Sequence, residues 1–392
     1  MVIKTFRVML CPNNKQNTKL FECAGAARYV FNWTLWYQKV NYEFGYSFQN
    51  DIDLRRVLTQ LKHNNPKFQW LENYSNNIAK QAVKDACGAF CKFFKGKAKY
   101  PRFKSKRKTK PSFYVDPGKI KFTGTHVILE KLTDGRKKSR KAFNAVRLAE
   151  VNRIPVDAKY YNPRVTYDGL HWWLSVGIEC ESESNEGIPY SEGIGIDLGI
   201  KDLAICSDSR TYTNINKTDK VRKLNKKKRR LQRRVSKKYL KNKKGVCYCK
   251  TRNIIKSERQ LLKVNRKLTN IRNTYLHAIT SEIVKRKPSF IVLEDLNVKG
   301  MLRNKHLAKS IQEQGFSEFR RQIVYKCERN GIELIIADRF FPSSKLCCRC
   351  GNIKKDLKLS DRVYHCLECG NTIDRDYQAS VNLRNYGISL HT

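Results

Sequence analysis

The chain has 392 residues, and its 80 Lys and Arg against 35 Asp and Glu give a formal net charge of +45. Aromatic residues make up 11%, too many for a disordered basic tail, and no apolar run approaches the roughly 18 residues of a membrane span. Such charge repels itself in a free globule, so a polyanionic partner is implied, nucleic acid ahead of an anionic membrane surface, and an acidic scaffold is excluded.

Residues 3–10 alternate loosely through Ile3, Phe6, Val8 and Leu10 and stop at Cys11-Pro12-Asn13-Asn14, a strand and a turn. From about 16 to 96 the period is helical: Ile78, Ala82, Val83, Ala86, Phe90 and Phe94 recur mostly at three- and four-residue steps. Residues 98–111 form a basic loop with interleaved aromatics. Short β-like runs follow at Ile120–Phe122, His126–Leu129, Arg164–Tyr167 and His171–Ile178. The expected first part is therefore a β-barrel or sandwich over 1–15 and 97–182, interrupted by a helical insertion over 16–96. A linker rich in Glu and Ser spans 183–192.

The second part opens on Gly193-Ile194-Gly195-Ile196-Asp197-Leu198-Gly199, an apolar strand ending in a glycine turn, with Lys201–Asp208 and Thr211–Ile215 continuing as a meander. Residues 217–244 then hold 16 Lys or Arg and one acid, Asp219. Val221, Leu224, Leu231 and Val235 give this run a heptad rhythm, which Leu261, Val264, Leu268 and Ile271 resume after a break at 245–249. Two antiparallel helices over 217–284 are expected. A charge run is ordinarily a solvated face. Sixteen cations in 28 residues are costly to keep together unneutralised, so phosphate-tracking is the favoured reading, with Arg229, Arg230, Arg233 and Arg234 as contacts. Ser289–Leu293 reads as the centre of a parallel sheet and ends in Glu294-Asp295. A helix near 311–330, a strand at Glu333–Ala337 and a last helix over about 375–385 complete the chain.

Fourteen cysteines, behind an N-terminus without the charged-then-apolar order of a signal peptide, point to a reducing, cytoplasmic setting. Four carry a pattern. Cys347-x-x-Cys350, fifteen residues, then Cys366-x-x-Cys369 is the spacing of two knuckles that place four thiolates around a tetrahedral Zn²⁺. Four thiolates leave no open position, so this zinc is structural. Cys348 could serve by chemistry, but the spacing selects Cys347. Gly351 and Gly370 stand where each knuckle must bend sharply.

Three acids sit at the ends of elements: Asp197 and Glu294 close strands, and Asp376 opens the last helix. An acid at a strand end usually caps a neighbour or faces solvent. Together, however, three carboxylates suit hydrolysis of a phosphodiester on two Mg²⁺ ions (or Mn²⁺), hard cations that select carboxylate oxygen. A meander after the first acid, a helical crossover and a strand ending in the second is the ribonuclease-H-like order. Position alone leaves Asp374 competing with Asp376, and Asp295 with Glu294. In the insertion, Asn77 and Lys80 open a helix with groups able to read the base edges of an adjacent motif, an ordinary solvent-facing helix start being the competing reading. Arg102, Phe103 and Lys104 could pair and stack with RNA, a plain surface loop being the competing reading.

These motifs match a family. Gly193–Asp202, Leu293-Glu-Asp-Leu-Asn-Val-Lys-Gly-Met301, Phe341-Pro-Ser-Ser-Lys-Leu-Cys-Cys-Arg-Cys-Gly351 and Cys369-Gly-Asn-Thr-Ile-Asp-Arg-Asp376 resemble, in order and spacing, the transposon-encoded TnpB (OrfB) proteins. These are RNA-guided DNA nucleases related to the type V CRISPR effectors. The first half is similar as well, through Ala27-Arg-Tyr-Val-Phe-Asn-Trp33 and Lys97-Ala-Lys-Tyr-Pro-Arg-Phe-Lys104. The resemblance implies an α+β multidomain chain: a wedge barrel with a helical recognition insertion, then an RNase H-like (RuvC-like) nuclease domain over 193–344 and 371–392. A zinc ribbon is inserted at 345–370. It places the acidic triad on Asp197, Glu294 and Asp376. Its implied partners are a guide RNA and double-stranded DNA bearing a short adjacent motif, with no membrane, in a prokaryotic cytoplasm at the nucleoid. Two residues after the last Asp the family usually has Asn, where this chain has Gln378. Related chains that have lost the acids act as guided repressors, and a strand-transferring transposase would share the fold; all three acids are present here.

Overall fold

The computed structural model of the chain describes residues 2–132, 143–180, 193–358 and 361–391, so the expected linker at 183–192 lies outside the described residues. The fold is α+β and divides into two compact units, Met1–Glu181 and Ser182–Thr392.

In the first unit, strand β1 (Val2–Cys11) buries Val8 and Leu10, and helix α1 (Asn14–Glu43) follows directly. Its start is fixed by a reciprocal cap: the Asn13 side chain accepts from the Gln16 N–H while the Gln16 side chain accepts from the Asn13 N–H. The Gln16 amide also donates to the carbonyls of Phe143 and Ala145, tying the helix to a later strand. Helices α2 (Asp51–Asn64) and α3 (Asn76–Phe94) pack with α1 around Val30, Trp33, Leu54, Leu58, Val83 and Phe90.

The remaining strands are β2 (Ser112–Tyr114), β3 (Lys121–Phe122), β4 (His126–Ile128), β5 (Ala145–Leu148), β6 (Tyr160–Tyr167) and β7 (Trp172–Cys180). They form one antiparallel sheet in the order β2-β6-β7-β1-β5-β4-β3. Alternate residues of β7, Trp172, Leu174, Val176 and Ile178, enter its core. Among the described residues the outer strands β2 and β3 do not pair, so the sheet is open where a barrel would close. Both are very short, and the core between them is completed by Leu20, Cys23 and Ala24 of α1 and Ile78 of α3. Sequence periodicity gives no sign of β2 or β5, which are too brief to show it.

The second unit holds a five-stranded sheet. Strands β8 (Ile194–Leu198), β9 (Asp202–Cys206) and β10 (Thr211–Thr213) form an antiparallel meander. Helix α4 (Asp219–Lys241) and the 34-residue α5 (Arg252–Lys285) then return the chain to β11 (Phe290–Glu294). The heptad residues Val221, Leu224, Leu231, Leu261, Val264, Leu268 and Ile271 form the seam between the two helices. β11 lies parallel to both β8 and β12 (Glu333–Ala337), giving the order β10-β9-β8-β11-β12. With neighbours on each side and helices on its faces, its first four residues are fully buried. The helix expected near 311–330 is two, α6 (Ala308–Gln314) and α7 (Phe316–Asn330), because Gly315 between them is left-handed at φ 74°.

Strands β13 (Val363–His365) and β14 (Thr372–Asp374) make a small hairpin that leads into the last helix, α8 (Arg375–Ser389). α8 packs against β8, β11 and β12. An added Cβ on Gly195 would lie closer than 3.0 Å to the Ser380 carbonyl oxygen and the Arg384 nitrogen, so helix and strand touch backbone to backbone.

Candidate acidic and thiolate sites

Parallel pairing sets the first two acids side by side. Ile196 of β8 is opposite Leu293 of β11, so one residue further along Asp197 faces Glu294 at the carboxyl ends of neighbouring strands. Adjacent strands run about 4.8 Å apart, and register-matched side chains of a parallel pair leave the same face. The backbone contact at Gly195 brings the first turn of α8 to the same edge, and with it Asp376.

Asp197 is half-buried, and its carboxyl is pushed well above the ordinary carboxylate range. Burial is the main cause, and the charges of Glu294 and Asp376 add to it. Glu294 is raised too, by burial, against the Ser343 hydroxyl that donates to it. Asp376 is held by the guanidinium of Arg375, at 3.0 and 3.1 Å, and by Arg362 at 3.5 Å. Three carboxylates sharing a dry corner repel one another, and a cation of hard character relieves that repulsion. Gln378, two residues after Asp376, is fully buried, and neither atom of its amide has a protein partner. The donor set and this orphaned amide fit a divalent cation with its hydration shell. The three carboxylates do not close to ligand distance of one another as the thiolates described below do.

The competing acids have other partners. Asp295 is half-exposed and clamped between Arg320 and Arg339, whose hydrogen bonds hold its carboxyl below the usual range. Asp374 caps α8, accepting from the backbone N–H groups of Asp376 and Tyr377 at 3.0 Å each.

The cysteines form the one group of His, Cys, Asp or Glu side chains, among the described residues, whose ligand atoms gather at metal-binding range. The sulfurs of Cys347, Cys350, Cys366 and Cys369 all lie within 4.8 Å of one another. Cys347–Cys369 and Cys350–Cys366 are each 3.6 Å apart. Tetrahedral Zn²⁺ with Zn–S near 2.3 Å requires sulfurs about 3.8 Å apart, so the set fits zinc. The knuckles repeat one another: the Gly351 N–H donates to the Cys347 carbonyl, and the Gly370 N–H to that of Cys366. Both glycines have positive φ, 76° and 66°. Burial would push the Cys347 thiol up, yet the N–H groups of Cys350 and Arg349 bring it down to about 6, which favours the thiolate that binds metal. Cys348 stands outside the group and accepts only a 3.7 Å contact from Asn371.

The residues expected to meet nucleic acid divide. Arg229, Arg230, Arg233 and Arg234 are all exposed on the face of α4 away from its seam with α5. Lys80, Arg102 and Phe103 are exposed as well. Asn77 is half-buried and donates to Glu130, and Lys104 is half-buried with its ammonium 3.4 Å from the centre of the Phe31 ring. These two have structural partners already. Sequence reasoning missed Ser343 and Asn382. Ser343 lies four residues before Cys347 inside a motif quoted above, and that position was the available signal. Among the described residues no helix is long and apolar enough to cross a membrane.

Three family models match the chain: "Helix-turn-helix domain" of the OrfB type over residues 1–45, OrfB "Probable transposase" over 178–305, and "Cas12f1-like, TNB domain" over 316–383. Together they take in well over half of its length. The chain resembles the OrfB (TnpB) family. Over residues 1–45 the OrfB segment is here one strand and one long helix rather than two helices. Curated relatives include "Putative RNA-guided DNA endonuclease" of Streptomyces pristinaespiralis, 28% identical over 99% of this chain and 90% of the relative. "Putative RNA-guided DNA endonuclease InsQ" of Escherichia coli is 28% identical over 99% and 93%. Among solved structures, a Cas12f1 chain from a complex with single-guide RNA and target DNA matches with a TM-score of 0.54 at 15% identity. It covers 98% of this chain and 99% of its own, a likeness of fold.

Proposed function

We propose that the protein is an RNA-guided DNA endonuclease that cuts double-stranded DNA beside a short adjacent motif. In this reading Asp197, Glu294 and Asp376 form a RuvC-like acidic site for two divalent cations, and the four cysteines hold a structural zinc within a ribbon at 345–370. The first unit, over 1–15 and 97–182 with the helices of 16–96, serves as wedge and recognition insertion. The observation that carries the reading is the convergence of three acids from β8, β11 and α8 on one buried edge, two of them with raised pKa. The names of the relatives, and the RNA–DNA complex of the Cas12f1 likeness, support guide RNA and target DNA as partners.

Asp197, Glu294 and Asp376 would hold the cations, which when bound supply an acidified water and stabilise the leaving oxygen. The protein's own share is to hold three carboxylates together at one partly buried edge, where burial raises Asp197 and Glu294 toward the neutral form until a cation is bound. Arg375 and Arg362 fix Asp376, and the backbone contact at Gly195 keeps its helix against the strand of Asp197. The exposed arginines of α4 lie along one face, suited to phosphates spaced along a duplex whose sequence is read by base pairing.

The test is plasmid cleavage by protein co-expressed with the DNA flanking its gene, with Mg²⁺ and a matched target beside randomised flanks. Breaks beside one enriched motif, absent in Asp197→Ala although RNA and DNA are still bound, are expected. Binding without breaks in the wild-type chain would make it a guided repressor. Joined DNA products without RNA dependence would make it a transposase.

A further inference from the structure

Glu294 is not held by its own strand alone. The Ser343 hydroxyl donates to Glu294 Oε1, joining residues 49 apart in sequence. Ser343 is itself buried, in the turn that leaves β12 for the first zinc knuckle, where the Lys345 and Leu346 N–H groups both donate to the Pro342 carbonyl. That turn is gripped from two sides. From α8, the Asn382 side chain donates both amide hydrogens into it, to the Ser343 and Leu346 carbonyls, each at 2.7 Å. Asn382 is 1% exposed and has no freedom to do anything else. From the zinc module, the hydroxyl of the fully buried Tyr364 donates to the Lys345 carbonyl at 3.3 Å, and the Lys354 N–H donates to the same oxygen at 2.9 Å. Tyr364 packs against Cys347 and Cys366.

We infer that Ser343 and Asn382 are positioning residues for cation capture at Glu294, and that the turn at 341–346 makes this capture depend on the thiolate site. The inference rests on reading Glu294 as a metal-binding carboxylate. A hydroxyl donating to one carboxylate oxygen favours the charged form and fixes the rotamer, so the other oxygen is presented to a cation. The turn carrying that hydroxyl is one residue short of Cys347. If the four thiolates are not gathered, Tyr364 and the knuckle no longer fix the Lys345 carbonyl, and Asn382 alone must hold the turn. The Ser343 hydroxyl then shifts, and Glu294 loses its partner. Outer partners of metal ligands are worth about 10- to 100-fold in metal affinity.

The experiment measures Mn²⁺ binding by calorimetry on full-length protein purified with its co-expressed RNA, with the Mg²⁺ dependence of cleavage alongside. Asp197→Ala defines the Mn²⁺ bound at the acidic site. Ser343→Ala is expected to weaken that binding at least tenfold and raise the Mg²⁺ needed for half-maximal cleavage by a similar factor, with melting temperature unchanged within about 2 °C. Ser343→Thr, which keeps the hydroxyl, is expected to restore both. Cys350→Ser is expected to weaken Mn²⁺ binding in the same direction. Ser343→Ala within twofold of wild type would overturn the inference and leave the acidic site standing. Mn²⁺ binding that Asp197→Ala does not alter would instead overturn the acidic site itself.

Discussion

The close approach of strand and helix backbone at Gly195 makes a demanding test. Gly195 lies against the Ser380 carbonyl oxygen and the Arg384 nitrogen, which are four residues apart and so stand as partners of one helical hydrogen bond in α8. Neither atom can swing away as a side chain could, and the Leu383 Cβ closes the third direction at 3.0 Å. A methyl group at 195 must therefore push the helix off the strand, by roughly an ångström if normal contact is to be regained. Overpacking of this kind costs about 1–3 kcal/mol, which for a unit of this size lowers Tm by on the order of 5 °C. The loss of function should be larger than the loss of stability. Asp197 is two residues along the strand and Asp376 about one turn back along the helix, so the same displacement parts two of the three acids. Misplacement by about 1 Å can cost ~10²-fold in rate. Gly195→Ala is therefore expected to melt a few degrees lower by calorimetry and to cut guided plasmid targets ~100-fold more slowly, while still co-purifying with RNA. Gly25→Ala is the control, since its added methyl meets nothing within 4 Å inside α1 and should be neutral or stabilising. A Gly195→Ala protein with wild-type Tm and cleavage rate would refute the close packing and the argument built on it.

Cys350→Ser should lower bound zinc, read by atomic absorption, and destabilise the second unit, because three thiolates remain for a site built on four; unchanged zinc content and Tm would remove the assignment. Replacing Arg229, Arg230, Arg233 and Arg234 together by Ala should weaken RNA and duplex binding and flatten the plot of log affinity against log salt by roughly 3 units, as expected if four phosphates lose their partners. An unchanged slope would mean these side chains face only solvent. In the first unit, Asp85 is partly buried, which pushes its carboxyl up, but the two-pronged bond from Arg164 at 2.7 and 2.9 Å outweighs this and leaves it below 3.8. Asp85 therefore contributes stability above pH 3.8 that is lost as the pH falls through its lower folded value. Asp85→Asn should lose about 1–2 kcal/mol at neutral pH, discounted for the partial exposure of the pair, and unfold with a shallower acid dependence below pH 4. A variant matching wild type at both pH values would show that the pair carries no net stability.

What the sequence revealed follows the length and regularity of the signal. The heptads of α4 and α5 repeat over many turns, and the buried run Phe290–Leu293 has no polar interruption, so both were visible as periodicity. β2 and β5, at three and four residues, have no period to read and exist because the longer β6 and β1 offer them a ladder. Where a barrel or sandwich is expected, the described residues form one open seven-stranded sheet whose core the helices help to cover. Gly315 splits the helix near 311–330 although its flanks keep helical spacing. Position did not distinguish left-handed from helical glycine there, whereas the knuckle glycines were legible from the cysteines before them.

The functional candidates show the same boundary at the level of single side chains. Zinc ligands announce themselves because the knuckle is a local structure: four cysteines, two tight turns and a short hairpin lie between residues 347 and 374. The acids are legible only as element ends, and choosing Glu294 over Asp295, or Asp376 over Asp374, requires knowing which neighbour each one meets. Asp295 finds Arg320 and Arg339, and Asp374 finds the amides of its own helix, so both are neutralised where they stand. Among the described residues Asp197 and Glu294 form no salt bridge, and burial raises both carboxyls although the Arg375 charge opposes the rise at Asp197. That contrast is what marks the site physically: elsewhere in this chain, with its large excess of cations, a carboxylate is readily answered by an arginine or lysine. Under the proposed function, two half-buried acids without a salt-bridge partner among the described residues, in a chain of net charge +45, are the ones a divalent cation would answer.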